Sequence, residues 1–294
     1  MTNTPSMPAD RIVTACEERR QAVVEVLRLA KRRITLSLFR CTDKAIFSEL
    51  AAAVKRGVVV EVLATSRARG GKKKLKQLWN KLEATGATIA TYNDPVVKYH
   101  AKYLVVDDGP ALIASLNFTR KCFSRTNDAI VITHDRAVVD GLRALMMADR
   151  DERPLPSGLP ARLIVGPELA RRQFTELIET ASARVQLIDP KVSDPALLAL
   201  LSARRKQGLR VDIHGDPHLA GMKSHGKIML IDGKRAVVGS MALTALCLDF
   251  RREVAVVVDE PAAVAGIQKL FTSIDAAAGV PSSATASVAG GTLC

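Results

Sequence analysis

Aromatic residues are scarce in this chain, at 4% of 294 residues with a single tryptophan. The shortage leaves few platforms for unpaired bases and weighs against a single-strand nucleic-acid module built on stacking. Cysteine is thin as well. The five (Cys16, Cys41, Cys122, Cys247 and Cys294) are odd in number and widely scattered. They fit reduced thiols in a cytosolic protein better than a disulfide framework. No two have the spacing of zinc ligands, so no structural metal is expected. The opening MTNTPSMPADR holds no apolar stretch of signal-peptide type, and no uninterrupted apolar run reaches the length of a membrane span. These absences predict a cytoplasmic protein, peripheral at most to a membrane.

What the chain does have is apolar residues and positive charge. Hydrophobic residues make up 48%, enough for a proper core, which excludes wholesale disorder. The net charge is +13, and +11 of it falls in residues 1–150. A basic half suggests an anionic partner: phosphate, nucleic acid or an acidic lipid surface.

The order of elements repeats. Apolar spacing over 10–33 predicts an amphipathic helix, ITLSLF (34–39) a strand, DKAIFSELAAAVKRG (43–57) a helix and VVVEVLA (58–64) a buried strand. In the second half PELARRQFTELIETASAR (167–184), VQLIDP, DPALLALLSARRKQG (194–208) and LRVDIHG follow the same sequence of types. Gly57 and Gly208 both stand where a helix meets a strand, the usual place for a left-handed cap. The two copies run at an offset of 151 in these elements and 125 further on, so the first carries 26 extra residues, a basic helix and a strand around 70–92. This is an internal duplication. It predicts two similar α/β/α sandwich lobes with mixed, mostly parallel sheets. The lobes span 9–149 and 161–275, with 150–160 as linker and 276–294 as a tail expected to be disordered, like the loose residues 1–8.

Where the offset becomes 125, each copy carries the same polar pattern. KYHAKYLVVDDGPALIASLNF (98–118) and KSHGKIMLIDGKRAVVGSMALT (223–244) both read His, any residue, Lys, four residues, Asp, then seven residues to Ser. Side chains two apart on a strand share a face. His100 and Lys102 therefore point with Leu104 and Val106, and Asp107 points the other way with Tyr103. Both faces are apolar, as in a central strand covered on each side, where a buried Lys would be very costly. The pair is expected at the strand's edge, opening to a cleft where an anion meets the lysine. If the lobes pack about a pseudo-two-fold axis, His100 and Lys102 face His225 and Lys227 across one cleft.

The duplicated HxKxxxxD with its Ser-bearing turn resembles the phospholipase D superfamily of HKD phosphodiesterases, over roughly residues 10–270. The resemblance implies that one histidine attacks phosphorus to form a phosphohistidine, while the other protonates the leaving oxygen and then activates water or an alcohol. Carried over, His100 is the nucleophile and His225 the general acid/base, with neither metal nor cofactor. Lys102 and Lys227 would hold the non-bridging oxygens. Ser115, Asn117 and Ser240 match the polar turn that donates to the phosphate. Asp128 and Glu253, each 28 residues after its histidine, take the place of the carboxylate that orients an imidazole. Asp107 and Asp232 are assigned a structural part, satisfying buried backbone or hydroxyl groups. The sequence departs from the pattern at Ala114, where glycine is preferred, and at Ala242, where asparagine is usual, which removes one donor.

Three readings follow from the resemblance. The first is cleavage or exchange of a glycerophospholipid headgroup, with contact to an anionic membrane surface. The second is a nuclease that holds DNA or RNA on the basic lobe. The third is an inactive scaffold that binds phosphate-bearing partners. Two motifs in one chain favour the lipid reading and a monomer. The run RARGGKKKLKQLWNKL (67–82) has a helical stripe of Leu75, Leu78, Trp79 and Leu82 among lysines. It reads as a helix covering the sheet with a solvated basic face, or as an anion-attracting wall near the cleft. His134, His214 and His218 have no counterpart in the repeat and are assigned nothing. Cys122 and Cys247 are equivalent and read as small packing residues.

Overall fold

The structure, a computed structural model, describes residues 9–67 and 71–277. Residues 1–8 and 278–294, expected above to be loose, lie outside the described residues. In the first lobe an edge strand, β1 (Asp10–Val13), leads to α1 (Cys16–Leu29), β2 (Arg33–Leu38), α2 (Lys44–Lys55), β3 (Val59–Thr65), α3 (Gly71–Glu83) and β4 (Thr88–Tyr92). A short β5 (Lys98–Tyr99) precedes the hairpin of β6 (Tyr103–Val106) and β7 (Ala111–Ala114). Then come α4 (Arg120–Ser124), β8 (Thr126–Asn127), β9 (Ile130–Thr133) and α5 (Arg136–Arg150). The second lobe opens with β10 (Leu163–Gly166), α6 (Ala170–Glu179), β11 (Arg184–Ile188), α7 (Pro195–Lys206) and β12 (Arg210–His214). Two short strands follow, β13 (His218–Leu219) and β14 (Met222–Ser224), then the hairpin of β15 (Ile228–Ile231) and β16 (Arg235–Gly239). The elements α8 (Ala245–Phe250), β17 (Arg251–Val258) and α9 (Pro261–Ala277) complete it.

The strand orders match: β1-β9-β7-β6-β2-β3-β4 in one sheet and β10-β17-β16-β15-β11-β12 in the other. The 26 extra residues of the first copy supply α3 and β4. Two expectations need correction. The sheets are mixed, but parallel pairing along these orders is confined to β2-β3-β4 and β11-β12, and the other steps are antiparallel. The reason is the connection: β6–β7 and β15–β16 are joined by tight turns, which make antiparallel neighbours, and only the first strands of each lobe are linked by helices. The helix expected over 10–33 is also shorter, because its first four residues pair with β9 as the sheet's edge.

Local chemistry sets the helix ends. Asp43 and Asp194 cap α2 and α7 through bonds to Ala45 N and Leu197 N. Gly57 and Gly208 take left-handed backbone, φ +82 and +100, just after those helices. Asp107 and Asp232 stand one residue beyond β6 and β15, also left-handed, at φ +40 and +54. The Asp107 carboxylate accepts the amides of Lys31, Arg32 and Arg33, each at 2.8 Å. That of Asp232 accepts those of Ser182, Ala183 and Arg184 at 2.9, 2.7 and 2.9 Å. Each acid thus pins the entry to a parallel strand, at the surface rather than in the core.

Three apolar cores hold the layers. Helices α1 and α2, with Leu78 and Leu82 of α3, cover the outer face of the first sheet. Lysines 72, 73, 74 and 76 of α3 are exposed, so from Gly71 onward the basic run is a covering helix with a solvated face. Helices α6 and α7 cover the outer face of the second sheet. Between the sheets lies one shared core. Tyr103, Val105 and Val131 from one sheet and Val238, Val254 and Val256 from the other meet there with side chains of α5 and α9. Burying this apolar surface at about 25 cal/mol per Å² is what fixes the lobes to each other.

At one edge of this core the lobes exchange strands. β5 pairs in parallel with β17 (Lys98↔Arg251, Tyr99↔Arg252), and β14 pairs in parallel with β8 (Lys223↔Thr126, Ser224↔Asn127). Both exchanges sit at equivalent positions, 125 residues apart, so a pseudo-two-fold axis runs between them. Two more bonds close the junction: His100 N to Arg252 O at 2.9 Å and Gly226 N to Asn127 O at 2.7 Å. A Cβ on Gly226 would lie 2.3 Å from Asn127 O, so no side chain fits there without parting the strands. Gly226→Ala is expected to cost about 2 kcal/mol and to lower the melting temperature by several degrees. An unchanged thermal transition would contradict the close approach.

Candidate active site

The exchanged strands bring both motifs to one cleft of about 1030 Å³, lined by His100, His225, Lys227 and Asn117 together. The HxK of each copy sits just before its central strand, β6 or β15, so the histidine lies at the sheet's end while Leu104 or Met229 enters the core.

Each imidazole is held from the other lobe. Nδ1 of His100 is 2.9 Å from both carboxylate oxygens of Glu253. Nδ1 of His225 is 3.1 Å from both oxygens of Asp128. The carboxylates are fully buried. Burial alone would raise them, but His100 and Lys102 hold Glu253 below its ordinary range, and His225 and Lys227 do the same for Asp128. Ionised carboxylates accept, so each ring places its proton on Nδ1 and keeps Nε2 for the cleft. His100 keeps 18% of its side chain exposed and His225 29%. Desolvation, against the pull of Glu253, holds the His100 imidazole well below its ordinary value, so the ring is neutral. The edge of Phe39 packs against it, with centroids 4.3 Å apart.

The lysines are not equivalent. Lys227 lines the cleft, and its Nζ also bonds the carbonyl of His225. Lys102 was expected to open to the cleft, but it is only 2% exposed. Its Nζ bonds the His100 carbonyl, sits 3.1 Å from Nδ1 and lies 5.0 Å over the Phe39 ring. The ring nitrogen cannot serve an ammonium and a carboxylate at once, so Glu253 takes it and Lys102 stays on the carbonyl. The cost of burying Lys102 is met by the neighbouring carboxylate and the aromatic face, yet burial still lowers its pKa to about 7.

Of the turn residues, Asn117 lines the cleft, and its Oδ1 has no partner. Ser115 does not face the cleft: its hydroxyl donates to Asp128 at 2.6 Å and accepts Ala129 N at 3.0 Å. Ser240 lies on Val254, donating to O at 3.3 Å and accepting from N at 3.2 Å. Both serines brace the strand that carries the orienting carboxylate. Ala242 is buried, so the donor pattern is one-sided.

Sequence reasoning missed most of the cationic lining, Arg40, Lys98, Lys191, Lys223 and Arg251, whereas Arg67, which also lines the cleft, opens the 67–82 run weighed above as an anion-attracting wall. The repeat held the signal, since Lys98 and Lys223 both stand two residues before a histidine, and Arg40 and Lys191 are equivalent at the offset of 151. Among the described residues no Asp or Glu lines the cleft, and no acidic, His or Cys cluster has the make-up of a metal site.

Comparison with known proteins bears on the family and the fold. The family described as "Cardiolipin synthase, PLD-like domain" matches residues 23–150 and 216–274. Cardiolipin synthase A of Pseudomonas entomophila is 30% identical over 130 residues, 44% of this chain and 27% of that protein. Among solved structures, polyphosphate kinase from Porphyromonas gingivalis superposes with a TM-score of 0.75 at 20% identity, over 90% of this chain and 46% of that one. Phosphatidylserine synthase from Haemophilus influenzae does so at 0.70 and 13% identity, over 91% and 86%. At these identities the structures share the fold. The chain spans about a quarter of the curated relative it matches.

The depressed Lys102 gives a stability test. Its charge is penalised fully below pH 7 and the penalty is relieved between 7 and about 10.5, where the native state binds fewer protons than the unfolded chain and stability rises with pH. Lys102→Met is expected to gain about 1–3 kcal/mol at pH 6, read from the urea midpoint. The advantage shrinks by pH 9. A lower midpoint at pH 6 contradicts the assignment.

Proposed function

The chain belongs to the PLD-like domain family of cardiolipin synthases, and on that footing we propose that it is a phosphodiesterase of glycerophospholipids working through a phosphohistidine. The observation that carries this reading is the pair of crossed imidazole–carboxylate contacts opening on one cleft.

His100 is the nucleophile. It is neutral, its tautomer is set by Glu253, and its Nε2 lone pair attacks phosphorus. As the phosphorus–oxygen bond of the leaving group breaks, that oxygen takes a proton from Nε2 of His225, which enters this step with both ring nitrogens protonated and its Nδ1–H held by Asp128. In the second half His225 removes a proton from water or an alcohol, the new oxygen attacks phosphorus, and the bond to His100 breaks. Lys227 and the Asn117 amide bind the non-bridging oxygens. Lys102 acts from behind, through the His100 carbonyl and its charge. Asp128 and Glu253 position the rings, and Ser115 and Ser240 position the strands bearing those acids. No step calls for a metal.

The cleft lining selects the substrate. Seven cations and, among the described residues, no lining acid suit a diester with a second negative charge or a neutral polyol, and disfavour a quaternary ammonium headgroup. The same lining favours a second reading, a nuclease, because successive phosphates of a polynucleotide would also fit it.

Purified protein in EDTA is expected to release glycerol from phosphatidylglycerol vesicles, or to transfer the phosphatidyl group to added alcohol. Its kcat/KM there should exceed that on phosphatidylcholine at least about tenfold, and His100→Ala should lower turnover by three or more orders of magnitude. Activity lost with EDTA would contradict the histidine mechanism. Cleavage of DNA or RNA that needs His100, with none of lipid, would establish the second reading.

A further inference from the structure

The two lobes do not present the same surface beside the cleft. Helix α8 carries Leu246 and Phe250 four residues apart, on one face, and both are exposed, at 45% and 48%. Leu246 lines the cleft itself. The helix is anchored from its other side by buried Cys247 and Leu248 and by Asp249, which pairs with Arg171. The apolar pair is therefore not spent on holding α8 in place. At the offset of 125, the equivalent positions in the first lobe are Lys121 on α4 and Arg125 at its C-terminal cap, both exposed. Helix α4 also borders the cleft: the Arg125 carbonyl accepts the amide of Lys223, a lining residue. The α8 flank therefore adds an apolar pair beside the lining cations Arg251 and Lys98, where the equivalent flank at α4 presents cations only.

Resting on the lipid reading above, we propose that α8 is the element that docks the protein on an anionic phospholipid bilayer. Leu246 and Phe250 enter at the roots of the acyl chains. Lys223, Lys121 and Arg125 meet headgroup phosphates. Charge and apolarity together choose this occupant, since such a surface offers anionic groups directly above apolar chains. A polynucleotide backbone would satisfy the cations but leave Leu246 and Phe250 in water. The asymmetry also orients the substrate, with the acyl side of the diester toward α8 and the headgroup toward α4. The two motifs are near copies, and the difference between their flanking helices gives the cleft this direction.

The test is sedimentation with vesicles of equal phosphatidylglycerol and phosphatidylcholine, for wild type, Phe250→Ser, Phe250→Leu and Leu246→Ser. Circular dichroism and thermal unfolding confirm that each variant folds. Phe250→Ser and Leu246→Ser are each expected to lower partitioning about tenfold, while Phe250→Leu restores most of it. Removing phosphatidylglycerol should weaken wild-type binding strongly. Partitioning unchanged in both serine variants overturns the proposal. So does a loss confined to polynucleotide binding, which would make this rim part of a nucleic-acid groove. Wild type that binds vesicles through Phe250 yet turns over no phospholipid upholds the docking surface and removes only the lipid-hydrolysis reading.

Discussion

The contact of His100 with Glu253, and its counterpart from His225 to Asp128, runs across the junction of the two lobes. A carboxylate buried to this depth is tolerable only with a partner, and each finds its partner on the other copy. The site cannot be assembled within one lobe. The exchanged strands β5 and β14, the close approach at Gly226 and the shared valine core all serve to hold this crossing in register. Stability and the proposed chemistry are therefore linked at one place, and the charges that are costly to bury there are the ones the proposed reaction uses.

Symmetry of backbone has been kept while the side chains have diverged. His100 is more enclosed than His225, Lys102 is buried where Lys227 reaches the cleft, and Asn117 of the cleft has a buried Ala242 as its counterpart. These differences break an otherwise two-fold site into two roles. A phosphodiester also has two unlike ends, one that stays with the enzyme and one that leaves. A cleft with unequal halves can bind such a group in one direction.

Much of this was legible in the sequence because the repeat constrains it. Two motifs at an offset of 125, against 151 in the earlier elements, marked the duplication and the insertion of α3 and β4. Packing about a two-fold axis was the condition for His100 and His225 to share a cleft, and both line one. What spacing could not give was pairing between distant segments. The partner of His100 is Glu253, 153 residues away, and only the lobe junction decides that. Lys102 shows a different failure. A rule against burying lysine placed it in the cleft, but Glu253 and Phe39 offset the cost locally. The serines were misplaced for a similar reason, since strand geometry turns their hydroxyls toward Asp128 and the Val254 backbone. The sheets were expected to be mostly parallel from the alternation of the early elements. The hairpins after Lys102 and Lys227 overrule it.

The proposed chemistry requires that the two motifs make one site with one nucleophile. Its most direct test is to mix the enzyme with a phosphodiester labelled in the phosphorus-bearing half, quench in base to preserve a phosphoramidate, and count the covalent label. The account predicts at most one equivalent per chain, on the peptide that contains His100, accumulating when His225 is replaced by alanine. Two equivalents per chain, or label on the His225 peptide alone, would contradict it.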